Sequence, residues 1–178
     1  MKKRISGLEI EIARGDISSQ EDVEAVVNAA NARLKPGGGV AGAIHSAAGP
    51  GLVEECRPLA PIEPGEAVIT GAYNLPNDSV IHCLGPVYGK DEPSDELLSN
   101  CYQNVLELVE ENGIESIAFP AISTGAFGYP LKEAAEVAFK TLKRKFSDLE
   151  NVKLIRFVLF GEEAFEVHKE KFTEIFED

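Results

Sequence analysis

Six short apolar runs, at residues 8–13, 25–28, 67–72, 79–84, 116–119 and 153–160, alternate with stretches whose apolar residues recur every three or four positions. A continuous or alternating apolar run of this length suits a buried strand; the wider spacing gives a helix one buried stripe. The stripes are Val40, Ala41, Ile44, Ala47 and Ala48; Leu97, Leu98, Cys101, Tyr102, Val105, Leu108 and Val109; Leu131, Ala134, Ala135, Ala138, Phe139, Leu142 and Phe146; and Phe165, His168, Phe172, Ile175 and Phe176. Ser94 is placed to cap the second helix, Gly113 to end it, and Pro130 to open the third. Such alternation predicts an α/β domain, its mostly parallel sheet covered by helices on both faces and its ligands bound at the carboxyl ends of strands.

With 178 residues, 44% of them hydrophobic, and no linker or repeat, one domain over 1–178 is expected. Thirty acidic against 17 basic side chains leave a net charge of −13, which repels a phosphate backbone and argues against a nucleic-acid partner. A small phosphorylated ligand is still allowed, because backbone N–H groups at a loop or helix N-terminus bind an anion locally. No apolar run approaches the roughly 18 residues of a membrane span, and Lys2, Lys3 and Arg4 are not followed by the apolar stretch of a secretory leader. The expectation is a soluble, cytoplasmic protein that does not associate with membranes. Cys56, Cys83 and Cys101 are odd in number and widely spaced, which suggests neither disulfides nor a metal site.

Two glycine-rich loops stand at strand-to-helix corners, where the ligand is expected. The first, "GGGVAGAIHSAAG" at 37–49, follows the run 25–28; the second, "PAISTGAFGYP" at 120–130, follows the run 116–119. Glycines let main-chain N–H groups reach a ligand with no Cβ between, and each loop feeds a helix N-terminus, so the pair is suited to hold a diphosphate from two sides. Gly37, Gly39 and Gly42 also satisfy G-x-G-x-x-G, but a dinucleotide-binding turn follows its strand directly. Here residues 29–36 intervene, and Tyr73 and Asn74, not an acid, follow the next strand. An oxidoreductase of that kind is therefore disfavoured, and no G-K-[ST] of a P-loop occurs.

The ordered motifs "ARGDI" (13–17), "VVNAAN" (26–31), "GGGVAGAIHSAAG", "HCLGPVY" (82–88) and "PAISTGAFGYP" span nearly the whole chain, which resembles the macro domain family of ADP-ribose-binding modules. The resemblance implies a three-layer α/β/α sandwich with a mixed, mostly parallel central sheet of six or seven strands. It implies ADP-ribose or an ADP-ribosylated protein as partner, no cofactor and no metal; a monomer is expected.

Carried over by residue, the resemblance has Asp16 accept the adenine amino group, the Ile17 N–H meet the same ring and Phe160 pack on it. Asn31 holds distal-ribose hydroxyls. Gly37, Gly38, Gly39 and Val40, with Ser123, Thr124, Gly125, Ala126 and Phe127, wrap the diphosphate and that ribose. Asn28 joins the ligand-binding set, although its expected work is to tie loop backbone. Apart from the resemblance, Asp16 reads as a turn or cap residue, Phe160 and His82 as core, and His45 as facing the cleft or packing beside it, and not as a base.

Hydrolytic members often read G-G-G-V-D-G, whereas Ala41 stands in the acidic position here. The form "GGGVAGA" also resembles viral macro domains that hydrolyse with substrate phosphate and loop backbone positioning the water. Two functions follow: a hydrolase of mono-ADP-ribosyl esters or O-acetyl-ADP-ribose using Asn31, Gly39 and Phe127, which the retained loops favour, and a non-catalytic ADP-ribose reader, which Ala41 favours.

Overall fold

Alternate residues of the central strands enter two different cores. Val27, Ile81, Ile117, Phe119, Ile155 and Phe157 pack on one side, while Val26, Val80, Ala118 and Val158, each next to one of them in sequence, pack on the other. The computed structural model describes residues 1–177. Its strands are β1 (Lys2–Ile5), β2 (Leu8–Arg14), β3 (Ala25–Ala29), β4 (Ala67–Gly71), β5 (Ser79–Cys83), β6 (Ser116–Phe119) and β7 (Leu154–Leu159). They form a seven-stranded sheet in the order β1-β2-β7-β6-β3-β5-β4. From β2 to β5 every pairing is parallel; β1 and β4 close the edges antiparallel.

Helices α1 (Gly39–Ala48) and α2 (Pro50–Cys56) supply Ile44, Ala48, Leu52 and Cys56 to one core. The other is filled from α3 (Ser94–Glu111), α4 (Leu131–Lys145) and α5 (Glu162–Phe176). There Phe157 stacks on Phe119, with ring centroids 5.5 Å apart, and meets Phe139 edge-on at 4.9 Å. Helices cover both faces of one sheet, so the three layers expected from the sequence are present.

The six expected strands form within about two residues of their expected limits. Two elements were not anticipated. Strand β1 carries Lys2, Lys3 and Arg4 on an exposed edge, where charge blocks pairing with another chain and also hides the apolar pattern. Helix α2 begins at Pro50 beside Gly49 and Gly51, residues that read as punctuation. Three smaller expectations are corrected. Ser94 is the first helical residue rather than the cap, and its hydroxyl donates to the Asp91 carbonyl at 2.7 Å. Pro130 precedes Leu131, the first residue of α4, and Ala47 is exposed rather than part of the α1 stripe. Gly113 does follow the end of α3, at φ 63°.

Candidate functional site: a two-loop cleft

The carboxyl ends of the five parallel strands share one rim of the sheet, and both glycine-rich loops rise from it. They enclose a cleft of about 320 Å³ that Ala30, Asn31, residues 37–41, Gly85, residues 121–123 and residues 125–127 help to line. The first loop delivers its chain to the N-terminus of α1, where the leading N–H groups have no partner within the helix. Its glycines are required sterically. A Cβ on Gly42 would stand 2.3 Å from the Gly37 carbonyl oxygen, and Gly39 has φ 57°, which a side chain strains.

In the second loop Ser123 adopts φ 68°, and its buried hydroxyl oxygen has no hydrogen-bond partner. A strained non-glycine residue with an orphaned buried donor is costly and is typical of a ligand-binding loop. Gly85, after β5, makes room for it: a Cβ there would lie 2.0 Å from that oxygen. Gly85 stands inside the "HCLGPVY" motif, where its letter alone does not reveal this steric demand. The Tyr88 N–H donates to the Phe127 carbonyl at 2.9 Å and the Tyr129 N–H to the Ser123 carbonyl at 2.9 Å, which pins the loop from both flanks.

Nine of the expected contacts line this cleft: Asn31, Gly37, Gly38, Gly39, Val40, Ser123, Gly125, Ala126 and Phe127. The Asn31 amide donates to the Lys35 carbonyl at 2.7 Å and accepts from the Lys35 N–H at 3.0 Å, fixing residues 31–35 as a closed turn. One expectation is corrected. Asn28 is fully buried on β3, and its amide bonds Nδ1 of His82 on the neighbouring strand at 3.0 Å; it ties strand to strand, not loop backbone, and does not line the cleft. The Thr124 hydroxyl donates to the Ala121 carbonyl at 2.8 Å and braces its own loop, whose expected contacts are made by backbone N–H groups.

Beyond the cleft, β2 and β7 end side by side and carry the remaining expected residues. Asp16 caps the short turn Ile17–Ser19, its Oδ1 accepting from the Ser18 hydroxyl at 2.6 Å and the Ser18 N–H at 2.8 Å. Those two bonds hold its carboxyl below the usual range. Asp16 is thus the cap that its local sequence suggested, while its second oxygen is left for another donor. The Ile17 N–H heads the turn with no carbonyl to bond inside it. Arg156, unnoticed in the sequence, holds this segment from below. Its guanidinium pairs with Glu11 at 2.7 Å and with both oxygens of Asp22 at 2.7 Å, and donates to Gln20, whose amide in turn donates to the Asp16 carbonyl at 2.8 Å. The Asp22 carboxyl is drawn down to about 2 by that fork.

Phe160 is 89% exposed at the end of β7, so the core role that its sequence setting suggested is wrong. A bare aromatic ring beside a free carboxylate oxygen and a free N–H makes a platform for a flat heterocycle. With adenine on this ring, as the resemblance implies, Phe160→Ala is expected to weaken ADP-ribose binding about tenfold, as loss of one stacked base does, and to leave the melting temperature unchanged because no core contact is lost. Calorimetric titration and a melting curve on the same sample check both parts.

The macro domain family model matches residues 27–138, a span that contains both loops. The chain belongs to the macro domain family. The mouse (Mus musculus) ADP-ribose glycohydrolase MACROD2 is 48% identical over 99% of this macro domain, which spans 37% of that longer protein. The O-acetyl-ADP-ribose deacetylase of Cronobacter sakazakii is 45% identical over 88% of the chain and 91% of its own length. A solved Oceanobacillus iheyensis macrodomain with ADP superposes with a TM-score of 0.95 at 40% identity, covering 99% of this chain and 96% of that one.

The cleft of this macro domain is lined without a carboxylate, imidazole, amine or thiol; its polar side chains are Asn31 and Ser123. Both nearby histidines lie outside it. His82 bonds Asn28 and, through Nε2, the Thr70 hydroxyl at 2.9 Å; burial first and His45 second depress its pKa to about 3. His45 is buried in α1 with neither ring nitrogen bonded, and burial lowers its pKa as well. Both are neutral at pH 7, and neither stands where a base would meet the ligand. Among the described residues no group of His, Cys, Asp and Glu side chains is arranged to hold a metal ion, and no helix is long and apolar enough to cross a membrane.

Proposed function

We propose that this macro domain binds ADP-ribose and hydrolyses it from mono-ADP-ribosyl esters on proteins or from O-acetyl-ADP-ribose. The observation that carries the reading is the two-loop cleft: an anion-accepting hollow of backbone N–H groups and a helix N-terminus with the Asn31 amide in its lining, and the exposed Phe160 ring beyond it where β2 and β7 end. Diphosphate lies against residues 37–40 and 123–127, adenine on Phe160 with its edge at Asp16 and Ile17, and the distal ribose at Asn31 and Phe127. The names of the relatives support both the ligand and the ester-cleaving chemistry.

With no acid or base in the lining, the anionic oxygens nearest the bond to be broken are those of the bound diphosphate. They orient a water, and the loops hold the ester in line with it. Water supplies a hydroxyl to the ester and a proton to the departing group, giving ADP-ribose and a free carboxylic acid. Positioning of this kind supplies up to roughly 7–11 kcal/mol of a barrier. The substrate is a modified protein or the small acetyl ester, no metal or further cofactor takes part, and the three buried, unpaired cysteines support a reducing, cytoplasmic setting.

The absence of any titratable side chain in the lining favours a second reading, a module that binds ADP-ribose without turnover. One experiment separates the two. The purified protein is incubated with a carrier labelled by mono-ADP-ribose on glutamate, and the label is followed. Release supports the hydrolase; retained label with micromolar ADP-ribose binding leaves the reader. Failure to bind ADP-ribose at all removes both.

A further inference from the structure

Residues 25–53 contain no Asp or Glu, in a chain where 30 of 178 residues are acidic. The surface that this stretch builds departs from the negative charge of the molecule, as do the basic last turn of α4 and strand β1. Arg33, Lys35 and Arg57 line a hollow of about 280 Å³ floored by Leu34, Pro36 and Val53. Pro36 and Val53 are shared with a second hollow, of about 310 Å³, that runs past Gly37, Pro50 and the buried His45. Gly37 is in turn part of the ligand cleft. The three concavities therefore run in series around the bend 35–37. Arg33 and Lys35 are exposed and have no carboxylate within ion-pair distance among the described residues, and Arg57 shares a largely exposed pair with Glu54.

Asn31 joins this groove to the ligand. Both ends of its amide are bonded to the backbone of Lys35. On the ADP-ribose reading, on which this inference rests, Asn31 marks the distal ribose, the end of the ligand to which a modified protein is attached. The protein chain leaves the cleft beside Lys35. We propose that the Arg33–Lys35–Arg57 groove is a docking surface for the modified protein, and that the segment it takes is an acidic peptide flanking the esterified glutamate or aspartate. Against a net charge of −13, the cationic groove beside the mouth of the cleft attracts an acidic segment locally, and its place next to the distal-ribose end orients that segment. Three cations in a chain of net charge −13 are too few to hold the repeating phosphates of a nucleic acid.

The test compares affinities for three ligands, none of which is turned over: ADP-ribose, an amide-linked ADP-ribosyl peptide with Asp/Glu flanks, and the same peptide with Asn/Gln flanks. In the parent at low ionic strength the acidic peptide is expected to bind about tenfold more tightly than the neutral one, and the gap to close at 0.5 M salt. In the Arg33→Ser/Lys35→Ser/Arg57→Ser variant the gap is expected to vanish while ADP-ribose affinity stays within twofold, since only the Lys35 backbone touches Asn31. An equal affinity for the two peptides in the parent, or a gap that survives in the variant, overturns the docking surface and leaves the ADP-ribose reading standing. A parent that binds none of the three overturns the ADP-ribose reading and this inference with it. Tighter binding of an oligonucleotide bearing a terminal ADP-ribose than of the acidic peptide, abolished in the variant, overturns the peptide assignment.

Discussion

Replacing Asn31 by alanine is expected to lower kcat/KM for a glutamate-linked ADP-ribosyl ester by about 10²–10³-fold, far more than it weakens ADP-ribose itself. The amide does two things at once. Its bonds to the Lys35 N–H and carbonyl, at 3.0 and 2.7 Å, close the turn that delivers the glycine loop to the cleft; that turn includes Leu34 in the left-handed region at φ 56°. Its remaining hydrogen and lone pair are what the cleft offers a ribose. Alanine removes both, so the loop shifts and the ribose loses its anchor. A displacement of about 1 Å is enough to cost roughly 10²-fold where rate comes from positioning alone. On the proposed reading the diphosphate is held mostly by other backbone, so affinity for the free ligand is expected to fall by less than tenfold. Single-turnover ester cleavage and calorimetry, run on the same protein, measure the split. Activity within threefold of the parent would remove Asn31 from the mechanism.

The frame of this molecule was legible because burial repeats. A parallel sheet covered on both faces needs apolar residues at nearly every strand position, and β3, β5, β6 and β7 have them. The edge strand β1 has no such need and was missed. The cleft was legible for a different reason: glycine is selected where backbone must approach backbone, as Gly42 approaches Gly37, and that choice is visible in the letters. What the letters do not carry is which way a side chain is used. Asn28 and Asn31 lie three residues apart in one motif, yet one is sealed between strands against His82 and the other lines the cleft. Phe160 sits in an apolar run and is nonetheless bare, because β7 ends at Leu159 and the next side chain leaves the sheet. Arg156 reads as an interruption of a strand; only the fold brings Glu11, Gln20 and Asp22 around it. Long-range polar partners of this kind have no period to betray them.

The Ala41→Asp variant is expected to hydrolyse the glutamate-linked ester about 10²-fold faster than the parent, the low end of what a positioned general base supplies. Ala41 lines the cleft from the first turn of α1 and is 5% exposed. A carboxylate there gains from the helix N-terminus, which keeps it ionised, and enters the cleft from the side of the first glycine loop. It also faces the diphosphate, and like charges oppose each other, so ADP-ribose affinity is expected to fall by a few-fold. The sign of the pH response separates base catalysis from repacking. A working carboxylate acts only when deprotonated, so the gained rate is lost as pH falls through its pKa, near 4 for an ordinary Asp; the parent, whose lining contains nothing to titrate, has no such limb. Ala41→Asn fills the same volume without the charge and is expected to gain little. If Asp and Asn variants are equally fast, the side chain acts by packing. If neither exceeds the parent, the bound diphosphate already supplies all the activation that the water receives, and the small residue at 41 is the better choice because it leaves that diphosphate unopposed.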